Sequence, residues 1–289
     1  MTCLWFVTAL WAFSFSLIGE YLSGQVDNYF AVMSRVVLAL LVFLPFLLRY
    51  PVRPRFALQL MGIGALQLGL MYLFYYQSFV LLSVPEVLIF TIFTPVYVTL
   101  IYDLLTRRFH PRYALTALLA VAGAAIIRYT RPGSEFWLGF LLVQASNLCF
   151  AAGQVLYKRL LEQQEQTRQH RHFGWFYVGA TLVTVPAWLL LGGTAYPGQL
   201  HQWLIILWLG LVASGAGYFL WNLGASRVNS GNLAIMNNAL IPAGLVVNLL
   251  LWNQDAGLLR LILGSSALML ALWINHRWRP FPGKATVPE

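Results

Sequence analysis

Gly64-Ala-Leu-Gln67-Leu-Gly-Leu-Met-Tyr72 runs on through Tyr75-Tyr76-Gln77 to Phe93-Thr94-Pro95, and the chain repeats that plan once. The second version reads Gly210-Leu-Val-Ala-Ser214-Gly-Ala-Gly-Tyr218, continues through Trp221-Asn222 and reaches Leu240-Ile241-Pro242. Each is a Gly-rich apolar helix bearing a Tyr, then a tight Ser-containing link, then an apolar helix interrupted by proline. Around them the chain is a series of apolar runs separated by short basic or Gly/Pro-containing breaks, and a membrane span needs about 20 mostly apolar residues. The runs predict ten spans, near 3–19, 29–48, 57–78, 84–105, 113–128, 136–157, 173–192, 203–223, 232–252 and 258–276. The third and fourth spans, and the eighth and ninth, are joined so tightly that their separation is the weakest part of the count. Five spans per half is an odd number, so the second half must enter the membrane upside down. The expected fold is therefore an all-α membrane protein of ten transmembrane helices, built as two inverted five-helix repeats over residues 1–130 and 131–280 with a short tail at 281–289. Inverted repeats are a transporter signature, with the site at the repeat interface near mid-membrane.

Composition agrees. Of 289 residues, 60% are hydrophobic and 9% charged, whereas soluble domains carry about 25% charged residues. The net charge of +9 sits between apolar runs, so it speaks of orientation in a bilayer rather than of nucleic acid. Cytoplasmic connections are enriched in Lys and Arg. With a cytoplasmic N-terminus, the inside segments hold Arg49, Arg53, Arg55, Arg107, Arg108, Arg112, Lys158, Arg159, Arg168, Arg171, Arg227, Arg277, Arg279 and Lys284, fourteen of the 18 basic residues. Glu20, Asp27, Glu135 and Asp255 fall on the other side with Arg128, Arg131 and Arg260. Both termini are expected to be cytoplasmic. The first apolar stretch lacks a basic leader and reads as a retained helix. Cys3 and Cys149 have no metal-ligand spacing and read as small buried hydrophobes.

Helical spacing sorts the polar residues inside the spans. Trp11 and Ser14 share a face, as do Gln67, Met71 and Tyr75, with Tyr72 and Tyr76 beside them. Gln144, Asn147, Ala151 and Gln154 line up on the sixth span, Ser214, Tyr218, Trp221, Asn222 and Ala225 on the eighth, and Asn237, Ile241 and Asn248 on the ninth. Singly, such amides can be interhelical glue. Five polar and aromatic stripes drawn from both halves describe a cavity. The candidate substrate-binding residues are Trp11, Ser14, Arg35, Gln67, Tyr72, Tyr75, Asn147, Tyr218, Trp221, Asn222, Asn237 and Asn238. Arg35 is the one Lys or Arg well inside a predicted span, and an intramembrane charge is a functional candidate by default. The alternative is that it snorkels or pairs with Glu86. Glu86 follows Pro85, as a first-turn carboxylate or as a group for proton coupling. Asp103 reads as an interfacial partner of Arg107 and Arg108. No His-Glu-x-x-His, Gly-x-Ser-x-Gly or phosphate-binding glycine loop occurs, so no metal, nucleotide or other cofactor and no enzymatic activity are expected.

At these residues the chain resembles the drug/metabolite transporter superfamily, in its ten-helix subgroup for amino acids, carboxylates and related metabolites (EamA-like). Trp11-Ala12-Phe13-Ser14, the proline helices at Thr94-Pro95 and Ile241-Pro242, the Gly-rich Ala213-Ser-Gly-Ala-Gly-Tyr218 and Asn237-Asn238 carry the resemblance. Within it, Gly19-Glu-Tyr-Leu, Asp27-Asn-Tyr-Phe-Ala, Ile126-Ile-Arg-Tyr129, Leu142-Val-Gln-Ala-Ser-Asn147, Trp175-Phe-Tyr177 and Ile235-Met-Asn-Asn238 look most like the biotin importers of enterobacterial inner membranes. The resemblance implies a secondary transporter of the bacterial inner membrane that works by alternating access. It implies biotin or a related carboxylate as substrate, the lipid bilayer as surroundings, and neither nucleic acid nor an obligate protein partner. The alternatives are an exporter of amino acids or other metabolites from the same superfamily and, in another class, a polytopic membrane enzyme or enzyme subunit.

Overall fold

Backbone polar groups in hydrocarbon have no water to bond, so so apolar a chain must pair them within helices. The computed structural model describes residues 2–106, 134–162, 168–228, 230–252 and 266, and among these there are helices and connections but no strand. In chain order the long helices are α1 (Thr2–Tyr21), α2 (Asn28–Arg49), α3 (Pro54–Leu81), α4 (Val84–Tyr102), α5 (Ser134–Glu162), α6 (Gly174–Leu191), α7 (Leu200–Ser226) and α8 (Ser230–Trp252). By length and composition, α1 to α7 are apolar enough to cross a membrane, and α8 adds an apolar stretch at Ala239–Trp252. These eight coincide with the first four predicted spans and the sixth to ninth. The predicted span at 113–128, that at 258–276 apart from residue 266, and the side chain of Asp103 lie outside the described residues. Large aliphatic side chains point outward, Leu48, Leu190 and Leu250 being 76%, 81% and 76% exposed; the periphery is a surface for lipid.

The two tight links are real breaks. Ser83 ends the first: its N–H and Oγ both donate to Glu86 Oε2 at 2.9 Å, and Pro85 occupies the opening turn. This capping box restarts the helix after a gap of two residues. α7 ends at Ser226, a turn follows at 227–228, and α8 begins at Ser230. α5 continues a turn past its expected end because Leu160 still finds a buried position and Lys158 Nζ donates to the Val228 carbonyl at 2.6 Å.

Two irregularities recur in both halves, and α4 carries a third. α3 and α7 each contain a π-helical segment, at Ala65–Leu70 and Leu209–Ala216, within the two stretches that echo each other in sequence. α2 and α6 each carry an internal proline, Pro45 and Pro186. α4 tightens to a 3₁₀ turn at Thr91–Phe93, where Pro95 cannot donate to the Thr91 carbonyl; Thr94 Oγ1 does so instead, at 2.8 Å.

The packing partners also pair up. α1 lies against α7 and α8, as α5 lies against α3 and α4; α2 packs on α7, as α6 packs on α3; and α2 and α6 pack on each other. One end of the bundle draws its connections together through Arg171 over the Tyr50 ring at 4.6 Å and Gln169 Nε2 donating to Ser226 Oγ at 3.1 Å. That end carries Arg49, Arg53, Arg55, Lys158, Arg168, Arg171 and Arg227. Burial, and then the neighbouring His170, push His172 down to about 4, so it adds no charge there at neutral pH. At the opposite end Asp27 ties two connections: Oδ1 accepts from Phe30 N at 2.7 Å and caps α2, while Oδ2 accepts from Gly193 N at 2.9 Å.

Candidate binding cavity

α1 presents Trp11, Ser14, Phe15 and Ile18 on one stripe, the three-four spacing of a single helical face. Facing that stripe are Met71, Tyr72 and Tyr75 from α3, Ser146, Asn147 and Phe150 from α5, Thr91 and Thr94 from the 3₁₀ break of α4, Tyr218 from α7, Asn237 and Leu240 from α8, and Arg35 from α2. Together they line about 590 Å³ of space free of protein atoms, open solvent at its mouth included. Its walls are aromatic: Trp11 packs on Tyr218 and Trp221 at 4.9 and 5.0 Å, and Phe15 meets Tyr75 edge-on at 5.4 Å.

Arg35 is the charge in this wall, and it is 2% exposed. Nε donates to Ser214 Oγ, Nη1 donates to the Tyr76 hydroxyl at 3.2 Å, and the guanidinium lies over the Tyr72 ring, 4.3 Å from its centre. Ser214 Oγ in turn lies 3.0 Å from the Tyr72 hydroxyl. Hydroxyls and a ring solvate the cation partly; among the described residues no carboxylate is one of these partners. A buried charge is costly unless paired, so an anion is a ligand that this arrangement could take.

The amides at the other side are already committed as donors. Asn147 Nδ2 donates to the Phe90 carbonyl at 2.8 Å and to Gln144 Oε1 at 3.3 Å. Phe90 precedes the 3₁₀ turn. Because a carbonyl only accepts, this contact settles which end of the amide is nitrogen. Asn237 Nδ2 donates to the Leu233 carbonyl at 3.0 Å and to Gln154 Oε1 at 3.4 Å. What Asn147 has left to offer a guest is chiefly its Oδ1; Asn237 Oδ1 accepts from Gln154 Nε2 at 3.5 Å and keeps one further lone pair.

Of the residues singled out from sequence, Trp11, Ser14, Arg35, Tyr72, Tyr75, Asn147, Tyr218 and Asn237 line one cavity. Trp221, Gln67 and Asn222 do not. Trp221 stands behind Trp11 and donates through Nε1 to Gln154 Oε1 at 3.2 Å. Asn222 Nδ2 is turned back onto the Tyr218 carbonyl of its own helix at 3.0 Å. Gln67 is fully buried in the π segment of α3 against Gly153, its amide without a partner among the described residues. The side chain of Asn238 lies outside the described residues. Glu86 sits in the capping box of α4, away from the cavity lining. Phe15, Ile18, Thr91, Thr94, Ser146, Phe150 and Leu240 complete the wall but escape a search for polar stripes. Phe15 and Ile18 extend the Trp11–Ser14 face by its own period. Thr91 and Thr94 are signalled by the proline that follows them.

A profile of the EamA-like transporter family matches residues 1–129. Over 281 residues the chain is 54% identical to the "Probable biotin transporter" of Pseudomonas aeruginosa, covering 96% of this chain and 98% of that one. It is 51% identical over 280 residues to the "Biotin transporter" of Salmonella typhimurium and 50% identical to that of Escherichia coli, covering 96% of this chain and 93% of each relative. A solved crystal structure, 18% identical in sequence, superposes over 96% of this chain with a TM-score of 0.65, so the fold is shared far beyond recognisable sequence identity. A buried cavity inside a bundle of membrane-spanning helices, and identity at or above half over nearly the whole length of named transporters, lead to one conclusion: the chain belongs to the EamA-like transporter family.

Proposed function

We propose that this transporter takes up biotin across the bacterial inner membrane by alternating access. The buried guanidinium of Arg35 in the cavity wall, with no carboxylate among its partners in the described residues, carries the reading. Biotin brings what the cavity lacks. Its carboxylate meets Arg35. Its thioether ring meets Trp11, Tyr75 and Tyr218. Its two ureido N–H donors meet the acceptors left on Asn147 and Asn237, whose own hydrogens are engaged. The names of the 50–54% identical relatives support the same substrate.

The architecture belonging to this reading is ten spans in two inverted repeats, residues 1–130 and 131–280, with the tail 281–289 and both termini cytoplasmic. Support comes from packing. Exchanging α1 with α5, α2 with α6, α3 with α7 and α4 with α8 leaves the main helix neighbours unchanged. The paired π segments and the paired prolines follow the same exchange. Rocking one half against the other would expose the shared cavity to each side in turn. Reporter fusions after Pro54, Arg112, Glu165 and Arg277 are expected to report cytoplasm, and fusions near Asp27, Gly133 and Gly198 the outer side. Reversed signals at Glu165 and Gly198 would remove the inverted repeat.

Purified protein in liposomes is expected to accumulate labelled biotin with no other component. Asn237→Ala removes a ligand acceptor and its contacts with Gln154, a loss of roughly 1–3 kcal/mol or about 5- to 150-fold in affinity. Proteoliposomes that move no biotin but carry or expel an amino acid would transfer the assignment to the exporters of the same family.

A further inference from the structure

The π segment Leu209–Ala216 of α7 is pinned by side chains of two other helices. A π turn displaces carbonyls from their usual helical partners, and side chains of other helices bond to them here. Trp11 Nε1 donates to the Ala213 carbonyl at 2.9 Å, and the Tyr177 hydroxyl lies 2.7 Å from the carbonyls of both Ser214 and Gly215. The backbone of Ser214 is thus fixed by α1 and α6, and its side chain is fully buried. From that anchored position Oγ takes the Nε hydrogen of Arg35 and reaches the Tyr72 hydroxyl.

A guanidinium offers five N–H donors and can grip a carboxylate along its side, through Nε and one Nη, or end-on, through Nη1 and Nη2. With Nε held by Ser214 and one Nη1 hydrogen held by Tyr76, the side grip is blocked and the Nη1–Nη2 fork remains. We propose that Ser214 is a positioning residue for the substrate's carboxylate: it turns Arg35 so that the acid is held end-on and a neutral chain end is rejected. This rests on the biotin reading above.

The test is competition against labelled biotin in proteoliposomes by unlabelled biotin and by biotinol, in which a hydroxymethyl replaces the carboxyl. Wild type is expected to prefer the acid strongly. Ser214→Ala is expected to weaken the acid about tenfold, as for one buried hydrogen bond, and to leave biotinol within about twofold. The acid-to-alcohol preference then shrinks about tenfold, with the loss in KM rather than in the rate at saturation. Ser214→Thr, which keeps the hydroxyl, should restore most of the preference. Retained binding of biotinol shows that the Ser214→Ala cavity is folded. Equal losses of both ligands, or no loss of either, overturn the positioning role while the wild-type preference keeps the biotin reading intact. A wild type that binds neither ligand overturns that reading and the positioning role with it.

Discussion

Arg35→Ala should leave a protein that inserts, folds and transports almost nothing. Truncating one partner of a buried, hydrogen-bonded charge pair costs about 2–5 kcal/mol, or roughly 30- to several-thousand-fold in affinity. Arg35→Lys keeps the charge but loses the planar fork, and should fall between alanine and wild type. The same argument separates transport from stability. Without substrate, the wild-type bundle holds a 2%-exposed cation whose partners are hydroxyls and a ring. Replacing uncompensated buried charge by an apolar side chain of similar volume is often neutral or stabilising. Arg35→Met should therefore melt no lower than wild type in detergent while its biotin uptake is lost. Normal apparent affinity in well-inserted Arg35→Ala protein would sink the substrate role; uptake and melting temperature falling together in Arg35→Met would make the residue structural.

The second large effect is expected where α3 crosses α6. A Cβ at Gly64 would lie 1.8 Å from the Phe176 carbonyl oxygen, and one at Gly179 would lie 1.9 Å from that of Met61. The two contacts are reciprocal: each helix lends a glycine to the backbone of the other. Small residues allow this approach in membranes, where packing rather than hydrophobic transfer holds helices together. Because both obstacles are backbone atoms, no rotamer change relieves them, and the helices must part. Overpacking costs typically about 1–3 kcal/mol even when side chains can adjust, against a total stability of about 5–15 kcal/mol. Gly64→Ala and Gly179→Ala should each deplete the monodisperse peak of a fluorescent fusion in size-exclusion chromatography. Gly62→Ala, two residues from Gly64 and on the opposite, exposed face of α3 with nothing within 4 Å of its Cβ, should leave the peak intact. Three equal profiles would refute the account.

The spans were readable from the chain alone, because the cost of unpaired backbone in lipid makes every long apolar run a helix. The predicted limits of the first four spans and of the sixth to ninth meet the observed helices to within a few residues. The polar stripes were readable for the same reason: an amide on a lipid-facing surface has no partner. Eight of the candidate residues, Arg35 among them, share a cavity.

Periodicity places a residue on a face but does not say how far from the guest it stands. Gln67, Trp221 and Asn222 share faces with cavity residues, yet they are spent on a tight crossing, a second aromatic layer and a neighbouring turn. Nor does spacing reveal that the hydrogens of Asn147 and Asn237 are already taken, or that Ser214 fixes the way Arg35 faces. A regular 3.6-residue wheel also turns the wrong way through a π segment, whose extra residue rotates everything beyond it; Tyr72, Tyr75 and Tyr218 all follow such segments. Which elements span and which faces turn inward depend on the local contest between backbone, side chain and lipid, and that contest is written in the sequence. Which atoms finally point at the substrate depends on hydrogen bonds between helices far apart in the chain, and only the tertiary structure decides them.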